Sequence, residues 1–215
     1  MIKGIIFDAD GTLWDSCPDI LHCINTVLNE YNLPAIDLDA LRPCLGYGAK
    51  ILCERVVNGR LSEKDQADFL NKYNTMYTAS KSEYTVVYDG IKELLTILKE
   101  RGIKIALLSN KPQETLDKVY GIYLSEFNFD VVYGQRPGFK PKPDRQATDF
   151  VVGLLGVDRE ELLFVGDSET DYQTGANADL RVITCLWGYR ELDFLLKHGA
   201  KEFINEPLEL INYLK

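Results

Sequence analysis

Histidine is almost missing from this 215-residue chain, which holds only His22 and His198. A histidine-built zinc centre is therefore not expected, and any metal must be held mainly by oxygen. Cysteine is sparse and unpatterned. The five residues Cys17, Cys23, Cys44, Cys53 and Cys185 are odd in number and contain no CxxC pair, so they read as small apolar side chains in a reducing cytoplasm. No run approaches the roughly 18 uninterrupted apolar residues of a membrane span. Repeats and low-complexity tracts are absent, and the chain opens directly into a strand-like segment, so no leader peptide is expected. Net positive charge is missing too: the formal charge of −9 opposes general attraction to nucleic acid or to an anionic membrane. A phosphate-bearing partner must therefore find local cations. Arg136, Lys140, Lys142 and Arg145 form one such cluster, although a solvated loop would have the same composition.

What remains is an ordinary globular composition, 46% hydrophobic and 27% charged, long enough for one α/β domain with an insertion or for two small domains. The organising stretch lies at the start. Ile5, Ile6 and Phe7 have the character of a buried parallel strand, and the run stops at Asp8-Ala9-Asp10-Gly11-Thr12. In extended backbone, alternation sends Asp8 and Asp10 to the same side, just beyond the sheet edge where open α/β sheets bind ligands. Gly11 permits a sharp turn, and Asp15 or Ser16 offers a cap for the next helix. A calcium loop would place glycine at its sixth position and glutamate at its twelfth; here those positions hold Leu13 and Asp19. A solvated acidic turn is the plainer alternative for a lone DxD.

Ile20, Leu21, Ile24, Val27, Leu28 and Tyr31 follow at helical spacing, with Ser16 and Asp19 set as a capping box. Further helices are predicted over Leu38 to Cys44, Ala49 to Val57 and Glu63 to Ser80, the last capped by Ser62. No strand pattern interrupts them, so residues 15–85 read as an inserted helical lobe and residues 1–14 with 86–215 as the sheet-bearing core. The Gly46-Tyr47-Gly48 turn follows no strand and lacks a third glycine, which argues against a dinucleotide site. From Asp89 the pattern is βα repetition. Strands end at Ser109-Asn110 and at Asp167, Val131 to Tyr133 forms a short strand, and a short strand and a terminal helix close the chain.

In a parallel sheet, Asp8 and Asp10, Ser109 and Asn110, the Lys140 loop, and Asp167 with Asp171 all lie at the carboxyl edge and share one cleft. The ordered quartet of DxDGT at Asp8–Thr12, a strand-end Ser109, KPxP at Lys140–Pro143 and GDSxxD at Gly166–Asp171 resembles the haloacid dehalogenase superfamily across nearly the whole chain. Within it, WGYR at Trp187–Arg190, the later HGAKEFI and RPCLGYGAK resemble phosphoglycolate-phosphatase-like proteins. The resemblance implies a Rossmann-like parallel-sheet core with an all-helical cap over the active site.

It also implies a Mg²⁺-dependent phosphomonoester hydrolase that acts on a small phosphorylated metabolite, phosphoglycolate-like or a sugar phosphate, through an aspartyl-phosphate. Asp8 would be the nucleophile, since a carboxylate attacks phosphorus competently once a cation neutralises the dianion. Asp10 would protonate the leaving alkoxide and then deprotonate water, an acid that a dehalogenase does not need there. The Asp8 side chain, the Asp10 carbonyl and Asp167 would hold the metal, with Asp171 and Thr12 behind them. Ser109, Asn110 and Lys140 would bind the phosphoryl group, with Lys142 the competing lysine. Apart from the resemblance, the turn Arg42–Gly48 combines a cation, an aromatic and two glycines, so Arg42 and Tyr47 would contact the substrate from a mobile lid; a glycine-rich interhelix turn with a surface arginine is the plainer alternative. A phosphomutase using the same groups, and a non-catalytic phosphate-binding protein, are the alternatives.

Overall fold

Gly4–Phe7 forms β1, buried along its whole length, and the chain then doubles back through a tight turn to Trp14–Asp15 (β2). Helices follow at Cys17–Glu30 (α1), Leu38–Leu41 (α2, continued by a 3-10 turn over Arg42–Cys44), Ala49–Val57 (α3) and Glu63–Ala79 (α4). Val86–Val87 (β3) pairs antiparallel with β2, Trp14 opposite Val87. That ribbon sits where the chain enters and leaves the helical lobe. It went unpredicted because β3 is two residues long and Val86 is exposed.

The remaining elements alternate: Ile91–Glu100 (α5), Lys104–Pro112 (β4), Gln113–Tyr123 (α6), Val131–Gln135 (β5), Arg145–Leu155 (α7), Leu162–Gly166 (β6), Glu169–Asn177 (α8), Arg181–Cys185 (β7), Leu192–Lys197 (α9) and Phe203–Ile204 (β8). This computed structural model describes all 215 residues. Six strands form one parallel sheet in the order β5-β4-β1-β6-β7-β8, so β1 lies centrally between β4 and β6. The expected terminal helix after Pro207 is a 3-10 helix, Pro207–Tyr213.

Periodicity explains the layers. Ile91, Leu94, Leu95 and Leu98 recur at the helical interval and are all buried against the sheet, each worth roughly 1.5–3 kcal/mol of burial. The helical lobe has a core of its own, in which Ile24, Leu28, Leu41, Phe69, Tyr73 and Tyr77 are packed together. Ser62 caps α4 as expected, accepting from the Asp65 amide at 3.2 Å. The capping box expected at α1 does not form. Ser16 turns its hydroxyl to Asp10 instead, and Asp19 accepts from the Tyr84 amide and the Thr85 hydroxyl. The predicted cap thus links the opening loop to the end of the lobe.

Candidate active site

The Asp8 amide still donates to Val165 at 2.8 Å, so its carboxylate leaves the sheet from a rigid strand end. Ala9 is fully buried, and its carbonyl accepts from Thr12, Leu13 and Trp14, winding the chain into a turn whose sharpest residue, Gly11, has φ of +90°. Any side chain at Gly11 would meet the Asp167 carboxylate, its Cβ coming within 2.4 Å of one oxygen. Gly188 is as constrained, since a Cβ added to it would come within 2.3 Å of the Asp167 Cβ. Asp167, at the end of β6, is thereby locked between two glycines, with one oxygen accepting from Tyr189 N at 2.8 Å and the other from Thr12 Oγ1 at 3.3 Å.

Asp171, one turn into α8, completes an acidic group with Asp8 and Asp167 in which the ligand atoms all lie within 4.8 Å of one another. One Asp171 oxygen accepts from the Ser168 amide and hydroxyl in a capping box that sets the start of α8. Its other oxygen meets Lys142 Nζ at 2.7 Å. Lys142 Nζ also reaches Asp8 Oδ1 at 2.7 Å and the Leu108 carbonyl at 3.1 Å, so all three of its N–H groups are used.

The sequence expectation for the phosphate-binding lysine favoured Lys140, and the structure places Lys142 in the site. The Lys142 side chain is 2% exposed, whereas that of Lys140 is 76% exposed and pairs with Asp144 at 3.5 Å outside the cleft. Arg136 and Arg145 are engaged elsewhere, with Gln113 and Asp149, so the basic cluster disperses and only Lys142 reaches the acids. Asn110 fixes the choice. Its Oδ1 accepts from the Lys142 amide at 2.7 Å, and its Nδ2 donates to the Lys142 carbonyl and to the Gly46 carbonyl of the cap turn.

Three buried carboxylates and one ammonium leave the site two negative charges in excess. Burial, then Asp171, pushes the Asp8 carboxyl well up despite Lys142, and the same causes raise Asp167 to about 7. Lys142 is held up by Asp171 and Asp8 against the desolvation that opposes it. A buried all-oxygen set with that excess fits a hard divalent cation such as Mg²⁺.

Asp10 lies beside this group. It accepts from Trp14 Nε1 at 2.9 Å and from the Ser16 hydroxyl, and its second oxygen is 3.1 Å from Lys111 Nζ. Asp8, Asp10, Ser109, Asn110 and Lys111 line one cleft with a cavity of about 60 Å³, roofed by cap residues that include Leu45, Leu52, Tyr73, Asn74 and Tyr77. Arg42 and Tyr47 do not line it. Tyr47 bonds its hydroxyl to Glu169, and Glu169 binds Arg190 Nε at 2.9 Å. The other Arg190 nitrogens donate to the carbonyls of Arg42 and Leu45 at 2.8 Å, so this turn is clasped to the core by its own backbone. Sequence reasoning missed Lys111, Tyr73, Asn74 and Tyr77. Lys111 directly follows the strand-end Ser109-Asn110 pair, and that adjacency was the available signal.

The family profile of haloacid dehalogenase-like hydrolases matches residues 5–185. A phosphoglycolate phosphatase of Pseudomonas savastanoi pv. phaseolicola is 34% identical, over 99% of this chain and 77% of that protein. Another, of Aquifex aeolicus, is 31% identical over 89% of this chain and 88% of its own. The crystal structure of a predicted phosphoglycolate phosphatase from Haemophilus somnus 129pt superposes with a TM-score of 0.91 at 25% identity, covering 100% of this chain and 98% of that one. A sheet whose central strand ends in Asp8, the acids gathered beside it and these similarities lead to one assignment: the chain belongs to the haloacid dehalogenase-like hydrolases, and is an enzyme of their phosphoglycolate-phosphatase-like, helically capped kind.

Proposed function

We propose that this protein hydrolyses a small phosphate monoester through a phosphoaspartate on Asp8, with Mg²⁺ as the resident cation. The observation that carries the reading is the meeting of Asp8, Asp167 and Asp171 around Lys142, beside a cleft that Asp10 and Ser109 also line. Asp8 and Asp167, with the Asp10 carbonyl, would hold the cation, and Asp171 positions Lys142. The cation, when bound, supplies charge neutralisation that lets a carboxylate approach a phosphoryl dianion.

The chain's own groups account for the rest. An Asp8 oxygen attacks phosphorus as the ester P–O bond breaks, and Asp10 gives its proton to the departing alkoxide. Asp10 then takes a proton from water, which attacks the same phosphorus and releases Asp8. Trp14 and Ser16 hold one Asp10 oxygen, so the carboxyl keeps one orientation through both half-reactions. The Ser109 hydroxyl, which accepts from the Lys111 amide at 3.1 Å, keeps its own proton to donate to a phosphoryl oxygen. The small cavity under the cap suits a substrate with a short organic part, as the phosphoglycolate phosphatases among the relatives take.

Hydrolysis of phosphorylated metabolites should be lost in excess chelator and return with Mg²⁺. Asp8→Asn should remove turnover while the circular dichroism spectrum and unfolding transition are retained. Full activity in chelator, or substantial turnover by a folded Asp8→Asn variant, would refute the mechanism.

A further inference from the structure

We infer that Tyr189 is a positioning residue for the acid/base group Asp10: its hydroxyl fixes the backbone of Ser16, whose own hydroxyl orients the Asp10 carboxyl. The inference rests on the phosphatase reading above, in which Asp10 protonates the departing alkoxide, and adds the chain of contacts that keeps that carboxyl aimed.

Three residues of the Trp187–Arg190 segment have evident tasks. Trp187 Nε1 donates to the Thr12 carbonyl at 3.0 Å, Gly188 crowds Asp167, and Arg190 clasps the cap turn. Tyr189 gives its amide to Asp167, but a backbone amide asks nothing of the side chain it carries. Its ring packs against the core of the helical lobe, which phenylalanine would do equally well. Only the hydroxyl requires tyrosine. It donates to Asp15 Oδ1 at 3.0 Å and accepts from the Ser16 amide at 3.1 Å, so both of its bonds go to the point where β2 hands over to α1.

Ser16 is fully buried and stands at the start of α1, where a serine side chain ordinarily accepts from the helix's second or third amide. No such bond forms. The Ser16 hydroxyl goes to Asp10, its carbonyl accepts from Ile20 N at 3.0 Å, and its amide has Tyr189 as partner, 173 residues away in sequence. A buried amide without a partner is costly, so the phenol decides which way Ser16 faces. Asp15 Oδ1 also accepts from the Cys17 amide at 2.9 Å, which draws three consecutive residues into the same arrangement.

Asp10 depends on that placement. Its Oδ1 receives two donors, Trp14 Nε1 and the Ser16 hydroxyl. Trp14 is fully buried in the core beneath the sheet and needs no outside support, whereas the Ser16 donor is only as fixed as the Ser16 backbone. A proton passes efficiently only from an acid aimed at the leaving oxygen, and a misplacement of about 1 Å can cost about 10²-fold in rate. Tyr189 itself makes no hydrogen bond to Asp10, so its influence travels through Ser16.

The test compares 2-phosphoglycolate, whose alkoxide leaves with a proton, with acetyl phosphate, a compound of similar size whose acetate leaves without one. Because kcat/KM covers only the steps up to departure of the leaving group, it isolates the acid role of Asp10 from its later role as base. Asp10→Asn sets the scale and should lower the ratio of kcat/KM for 2-phosphoglycolate to that for acetyl phosphate by about 10²- to 10⁴-fold. Tyr189→Phe keeps the ring and the amide to Asp167. It should lower the same ratio by about 10- to 100-fold, with the midpoint of Mg²⁺ activation unchanged. Ser16→Ala should act likewise, and adding Tyr189→Phe to it should cost no more than about twofold further on 2-phosphoglycolate, since residues in one chain of contacts are not additive. Equal losses on the two compounds, no loss on either, a shifted Mg²⁺ midpoint or fully additive losses in the double variant would overturn the inference and leave the phosphatase reading intact. An unchanged ratio in Asp10→Asn would instead remove the acid role of Asp10, and hydrolysis of neither compound with Mg²⁺ would remove the phosphatase reading, each taking this inference with it.

Discussion

Lys142 holds two carboxylates and a carbonyl at once, and its removal would leave Asp8 and Asp171 buried together without a cation. Breaking such a buried set by deleting one partner costs about 3–5 kcal/mol, whereas an exposed pair such as Lys140 with Asp144 contributes about 0–1 kcal/mol. Lys142→Ala should therefore lose about 3–5 kcal/mol of unfolding free energy together with turnover, and Lys140→Ala should stay near wild type in denaturant melts and in assay. A reversed pair of results would move the phosphate-binding role back to Lys140. The sequence could not decide between them. Lys140-Pro141-Lys142-Pro143 contains two lysine–proline steps, and the choice is made by Asn110, 32 residues away, which binds the Lys142 backbone on both sides. The glycines beside Asp167 were equally mute, since their constraint is a close approach across the fold. Gly188→Ala should displace Asp167 and weaken Mg²⁺ affinity by about 10- to 100-fold, as disturbing the support of a ligand does. Gly153→Ala, with no atom within 4 Å of the added carbon, is the matched control and should leave metal titration unchanged. Equal affinities in the two variants would contradict the packing account.

Elements were easier to read than their orientations. The apolar runs at Ile5–Phe7, Ile105–Leu108 and Leu162–Val165 are strands because they are buried on both faces, and α5 and α7 follow from 3.6-residue spacing with Gly102 and Gly156 after their ends. Periodicity says that Tyr73 and Tyr77 share a face of α4, but not that this face reaches from the cap core to the cleft. In the same way Arg42 and Tyr47 have the composition of a substrate contact, while the fold spends the Arg42 carbonyl and the Tyr47 hydroxyl on the Arg190–Glu169 clasp. The clasp predicts a local effect. Arg190→Ala removes donors to Arg42, Leu45 and Glu169, so amide hydrogen exchange over residues 42–48 should quicken by at least about tenfold while β4 exchanges as before. Unaltered exchange in the turn would show that Asn110 and packing hold it without Arg190.

On the scale of the whole molecule, an acidic chain of net charge −9 gathers three buried carboxylates, Asp8, Asp167 and Asp171, around the one ammonium of Lys142. Asp167 is raised in the folded state to about 7 from an ordinary 3.8, so between those values the native protein holds more protons than the unfolded chain. Stability of the metal-free protein must then fall as pH rises through that window, by at most about 4 kcal/mol from this group at 1.36 kcal/mol per pH unit. Mg²⁺ competes with those protons, so the rise in Tm that it produces should grow from pH 5 to pH 8, and Asp167→Asn should flatten both trends. A wild-type Tm difference with and without Mg²⁺ that is independent of pH would contradict the charge account. The proposed mechanism requires that phosphorus pass through Asp8. During turnover of 2-phosphoglycolate with Mg²⁺, acid quenching, digestion and mass spectrometry should find an HPO₃ increment on the peptide containing Asp8, absent with chelator and absent in Asp8→Asn. Steady hydrolysis with no such adduct in the wild-type enzyme, or the same adduct in the variant, would contradict it.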